Sequence, residues 1–155
     1  MDKTEDLLLS AKQALLQKKI DKSIELFSKV LALDPRNSIA LFSRGTAYFS
    51  KKEFQQALQD FNLCIEIRPD NAKLYCSRGN TWLGLNQNES ALQDLNKAVE
   101  LDPYYPTAYF SRSEVFDRME EKEQSEADRD TAQRLQRHIS RTYLETQGIE
   151  LPYNL

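Results

Sequence analysis

Apolar residues in this chain come in short bursts at three- and four-residue steps, which is the spacing of one helical face. Leu41, Gly45 and Tyr48 form one such set, and Ala57, Phe61, Cys64 and Ile65 form the next. The bursts themselves recur. Pro35, Pro69 and Pro103 are 34 residues apart, and so are Gly45 and Gly79. A fixed period of this length points to stacked copies of one small unit, so it governs every local reading.

Cutting the chain at Thr4, Ser38, Ala72 and Pro106 aligns four units. Their eleventh places hold Ala14, Tyr48, Trp82 and Phe116, and their twentieth places hold Ser23, Ala57, Ala91 and Ser125. The twenty-fourth places hold Phe27, Phe61, Leu95 and Arg129. Each unit reads as two helices, with small residues on one admitting large ones from the other. Proline ends the second helix, because it pushes the residue before it out of the helical region. Asn37 or Ser38, and Asn71, stand where the next helix needs an N-cap; Asp21 and Asn88 are expected to do the same at the turns inside units one and three. In unit four the proline place holds Arg137, so one helix is expected to run from about Lys122 to Gln147, with Gly148 just past its end. Ala132, Leu135, Ile139 and Tyr143 form its narrow apolar stripe, with Arg134, Arg137 and Arg141 off it. The domain boundaries that follow are an array over 1–147, its units at about 4–37, 38–71, 72–105 and 106–139, and a tail over 148–155. Two readings stand for that apolar tail: a free end, or a segment that tucks onto the array or docks on a partner.

Charge adds a second periodic signal. Arg44, Arg78 and Arg112 hold the seventh place, and Asp60, Asp94 and Asp128 the twenty-third of the same units; unit one has neither. An ion pair between helices explains the joint gain and loss better than a phosphate-binding stripe, which the acids would neutralise. At an exposed site such a pair contributes about 1 kcal/mol or less.

Composition narrows the chemistry. The 155 residues carry a net charge of −3, so nothing suggests affinity for nucleic acid or anionic lipid. Four glycines are too few for a many-stranded sheet or a Gly-rich phosphate loop. One histidine, His138, and two cysteines, Cys64 and Cys76, leave little for a metal site, a disulfide framework or a nucleophile with its base. No cofactor, metal or catalysis is expected. There is no run long enough to span a membrane. The acidic start, Met1-Asp2-Lys3-Thr4-Glu5-Asp6, does not read as a secretory signal, so a reducing, cytoplasmic setting is expected.

The 34-residue pattern resembles the tetratricopeptide repeat, a helix–turn–helix unit, over residues 4 to about 136. The resemblance implies an all-α, right-handed superhelical solenoid of antiparallel helix pairs, closed by a long C-terminal capping helix. It also implies a concave groove lined by the second, fifth, ninth and twelfth places of each first helix. Here those places put Leu8, Lys12, Leu15, Ile39, Phe42, Thr46, Phe49, Lys73, Cys76, Asn80, Leu83 and Phe110 on the groove. The apolar members form a row suited to anchoring an extended peptide or an amphipathic helix of another protein. The plainer reading is that some of them are core between helices or are covered by the chain's own tail. The family's clamp for a chaperone's C-terminal carboxylate would map to Leu8, Lys12, Ser43, Lys73 and Ser77, of which only Lys73 keeps the required type, so that function is not expected. A non-enzymatic adaptor or co-chaperone-like module follows, with an obligate structural subunit of a larger assembly as the alternative. Self-association through the array ends or the tail is a further expectation.

Overall fold

The computed structural model describes residues 3–147. They form eight helices and no strand: α1 (Lys3–Leu16), α2 (Ile20–Leu33), α3 (Ser38–Ser50), α4 (Phe54–Ile67), α5 (Ala72–Gly84), α6 (Asn88–Leu101), α7 (Pro106–Arg118) and α8 (Lys122–Thr146). Consecutive helices pack in pairs, and each pair packs on the next. The first helices α1, α3, α5 and α7 also touch one another in sequence, whereas no second helix touches another second helix. A stack that is tighter on one side bends toward it, so the first helices line the inner, concave face.

The prolines end the second helices as the pattern requires. Asp34, Arg68 and Asp102, each just before a proline, leave the helical region at φ −134°, −136° and −140°. Asn37 and Asn71 cap α3 and α5, their side chains accepting from the Ala40 and Lys73 amides at 3.0 and 3.1 Å. Pro106, outside the strict period, stands in the first turn of α7, where its missing N–H costs nothing. With arginine in place of proline at 137, α8 runs on to Thr146, 25 residues in all.

The turns inside each unit differ from expectation. Asp21 lies in the first turn of α2 and Asn88 is the first residue of α6, so neither is an N-cap; Lys19 and Gln87 hold that place without a side-chain bond. The turns are held from the other side. Lys18, Lys52, Asn86 and Glu120 all sit at left-handed φ near 60°, once per unit. After each, an amide reaches back five residues, as in Lys19 to Ala14 and Glu53 to Tyr48, both at 2.9 Å. This helix end normally carries glycine, because a side chain in that region costs about 1 kcal/mol. Replacing Lys18, Lys52 and Glu120 together by glycine is expected to raise the melting temperature by about 3–5 °C, after allowing for the extra freedom of the unfolded chain. Thermal unfolding followed by circular dichroism reads the shift; an unchanged or lower midpoint would show that these turns hold no strain.

The core follows the alternation of small and large residues. A β-carbon added at Gly45 would lie 2.9 Å from the Phe61 ring, and one at Gly79 would lie 2.9 Å from Leu95. Both glycines are therefore the contact points of a helix pair, not turn residues. Gly84 does the same between units, because its β-carbon would come 2.5 Å from the ring of Phe54 on α4.

Candidate functional site: the concave face

Three buried ionic clamps set the spacing of the helices that form the groove. Arg44 donates from Nε and Nη2 to the Asp60 carboxylate at 2.9 and 2.7 Å. Arg78 does so to Asp94 at 2.7 Å through both nitrogens, and Arg112 to Asp128 at 2.7 and 2.8 Å. The remaining Nη1 reaches back to the preceding unit: Arg44 to Ser28, Arg78 to Asn62 and Arg112 to Asn96, at 3.0, 2.8 and 2.9 Å. Each guanidinium thus ties three helices in two units. The pairing matches the periodic charge signal, but its setting does not: the aspartates are buried, with Asp60 only 2 % exposed, so these are not the weak surface pairs expected. Hydrogen bonding to the carboxylates raises the pKa of all three arginines.

The residues assigned to the groove divide into three groups. Cys76 and Leu83 are 2 % and 4 % exposed, inside the second core cluster, and this corrects their placement on the surface. They are buried because α7 closes over α5, a contact that a single unit does not reveal. Leu8, Leu15 and Phe42 are half-buried against the first cluster, and Phe49 stacks on Phe54 at 5.6 Å. Lys12, Ile39, Thr46, Lys73 and Phe110 are exposed, and Asn80 is half-buried with its amide toward the Cys76 sulfur at 3.8 Å.

What the fold brings together is a small apolar hollow of about 200 Å³ beside α3 and α5. Ile39, Phe42, Cys64 and Leu74 supply its apolar surface, and Arg68 and Lys73 also line it. The Lys73 ammonium lies 5.0 Å from the Phe42 ring centroid, within cation–π range. Phe42 in turn leans on Phe61 at 5.9 Å. Ile39, at the mouth of the hollow, is 48 % exposed. Arg68 and Lys73 continue into a wider polar cleft of about 640 Å³ with Asp70, Asp102 and Tyr105. The sequence signal for this hollow lay at the second and fifth places. The part played by Arg68 and Leu74 was missed, because Leu74 lies on α5 and Arg68 follows the end of α4, both away from the helix that carries Phe42.

Burial pushes the Cys64 thiol up to about 12 and raises that of Cys76, so both stay protonated and poorly nucleophilic. His138 is exposed on α8. Among the described residues no group of ligands could hold a metal ion, and no helix is long and apolar enough to cross a membrane.

Comparison with known proteins agrees with this geometry. Models of the tetratricopeptide repeat match residues 38–71 and 72–105. No curated protein sequence matches the chain. Among solved structures, a MamA crystal structure superposes with a TM-score of 0.83 at 19 % identity, over 90 % of this chain and 82 % of that one. MamA residues 41-end from Desulfovibrio magneticus RS-1 give 0.82 at 21 %, over 87 % and 76 %. At these identities they establish the shared fold. The first tetratricopeptide domain of Spaghetti (RPAP3), solved with the HSP90 peptide SRMEEVD, gives 0.72 at 27 %, over 76 % of this chain and 93 % of that one. The 34-residue helix pairs, the all-helical right-handed stack and these matches make the chain a tetratricopeptide repeat protein, built as a protein–protein interaction module.

Proposed function

We propose that the concave face holds an apolar segment of another protein, an extended peptide or one face of an amphipathic helix, and that the chain works as a non-enzymatic adaptor or co-chaperone-like module. The observation that carries this reading is the hollow formed by Ile39, Phe42, Cys64 and Leu74, with exposed Ile39 at its mouth. It is of a size for one large aliphatic or aromatic anchor, and it is held open by helices whose spacing the buried clamps set. A groove organised in advance spends little ordering entropy on its own side. Ser43, Asn71 and Lys73 supply polar contacts around it. This chain offers no set of asparagine and arginine donors for a terminal carboxylate: the places to which the family's clamp would map hold Leu8, Lys12, Ser43, Lys73 and Ser77. Two free, buried cysteines fit a reducing, cytoplasmic setting.

The test uses a displayed library of apolar dodecapeptides, with SRMEEVD as the control. Ile39→Asp is the informative variant, because Phe42 also supports the core and its loss would disturb folding. Ile39→Asp is expected to weaken selected peptides at least about tenfold with the melting temperature nearly unchanged. Equal binding by the variant, or preference for SRMEEVD, would remove this reading. One observation favours an obligate subunit instead: Leu16, at the end of α1, is 84 % exposed. Insolubility of the isolated chain, relieved by Leu16→Lys, would support that alternative.

A further inference from the structure

Every internal junction of the array is closed by the third residue of the following unit. Ala40, Leu74 and Ala108 occupy that place and are all buried. The hollow after unit two has Leu74 in its wall for this reason. The equivalent hollow of unit four is open. It measures about 330 Å³ and is lined by Pro106, Thr107, Phe110, Ala132, Gln133 and Gln136, with Phe110 60 % exposed. An apolar track leads from it along α8. Ala132, Ile139 and Tyr143 recur at i, i+7 and i+11 on one face, with uncharged Gln136 between them, and Ile139 and Tyr143 are 45 % and 65 % exposed. The first half of the predicted stripe therefore packs on the array, and its second half projects past it. Beside the track stand uncharged Gln133, Ser140 and Thr142, while Arg134, Arg137 and Arg141 lie on the far side of the helix.

We propose that residues 149–155 of the same chain cover this track and fill the open hollow. They lie outside the described residues, and their sequence is Ile149-Glu150-Leu151-Pro152-Tyr153-Asn154-Leu155. Proline bars a helix there, and an extended chain alternates its sides. Ile149, Leu151, Tyr153 and Leu155 then share one side, and Glu150 and Asn154 the other. The apolar side matches a track without charges, and the polar side stays in water. The reach also fits. From Thr146 back to Ala132 is about 21 Å of helix, and the residues from 147 to 155 span up to about 30 Å when extended. Gly148 permits the reversal of direction between the two.

Other occupants fit less well. Stacking of a second copy head to tail would bring Asp6 and Gln13 to the places that internal junctions fill with Ala40, Leu74 or Ala108 and with Ala47, Thr81 or Val115. That would bury a carboxylate without a partner. A bilayer would meet only Phe110, Ile139 and Tyr143 as exposed apolar side chains, too narrow a face for interfacial binding.

The experiment is nuclear magnetic resonance of the methyl-labelled full chain, with amide exchange measured along α8. Contacts from the Ile139 methyls to Leu151 or Leu155 are expected, independent of concentration. Amides from Ser140 to Leu144 are expected to exchange about tenfold faster in Leu151→Asp/Leu155→Asp and in the reciprocal Ile139→Asp. The tail variant lies outside the packed array, so it tests the contact without endangering the fold. Absence of the contacts with unchanged exchange overturns the proposal. So do contacts seen only between differently labelled copies, or protection that appears only with phosphatidylglycerol vesicles. The groove reading rests on unit two and stands or falls separately.

Discussion

Asp60→Ala is expected to destabilise the protein by about 3–4 kcal/mol, far more than an exposed ion pair contributes. The carboxylate is 2 % exposed and accepts two bonds from Arg44, whose third contact is Ser28 in the unit before. Removing it leaves a guanidinium that is 22 % exposed with a single neutral acceptor, so most of the penalty is a charge held away from water without its partner. The Arg44→Ala/Asp60→Ala double variant should therefore be more stable than Asp60→Ala alone. Asp94→Ala is expected to behave alike, because its geometry is the same. Urea unfolding measures these differences, and a loss below about 1 kcal/mol for Asp60→Ala would put the clamp among ordinary surface pairs. The groove should loosen along with the stability, since each clamp spans two units.

The second large effect is a reversal of sign at the closest helix contact. Phe61→Ala should cost about 4 kcal/mol, because the ring is 1 % exposed and fills the space above Gly45. Gly45→Leu alone should cost about 2–3 kcal/mol, since even its β-carbon would sit 2.9 Å from the ring and 3.2 Å from Asp60 Cβ. In the Phe61→Ala background the same leucine enters the vacated volume and gains helix propensity, so it should stabilise. The coupling is the test: additive costs would mean that the two positions do not share one space. Unit one shows that a single methyl can be accommodated, since Ala11 stands at the place of Gly45 opposite buried Phe27.

Most of the architecture could be read from the chain because its signals are local or periodic. A proline two residues past a helix acts on its own neighbours, so Pro35, Pro69 and Pro103 mark unit ends wherever the units sit in space. Arg44 and Asp60 are 16 residues apart in every unit that has them, so their joint presence reported a contact before any coordinates. The left-handed turns were not legible. Lys18, Lys52, Asn86 and Glu120 share a backbone conformation but no one side-chain type, because the packing of each helix pair imposes the turn.

The candidate site was only half legible for a related reason. A place in the repeat says which way a side chain points from its helix, and Ile39, Lys73 and Phe110 are exposed. It does not say how closely the next unit approaches. Cys76 and Leu83 point inward like the others but are covered by α7, and the hollow at Phe42 exists because Leu74 arrives on α5 and Arg68 from the end of α4. The sequence by itself determined the helices, their period and the ionic clamps, since these depend on residues at fixed separations. Only the tertiary structure decided which groove residues remain at the surface, which aspartates are buried, and that the described residues leave a hollow at the end of the array. Burial is a property of neighbouring layers, and the physical reason lies in how tightly successive first helices close on one another.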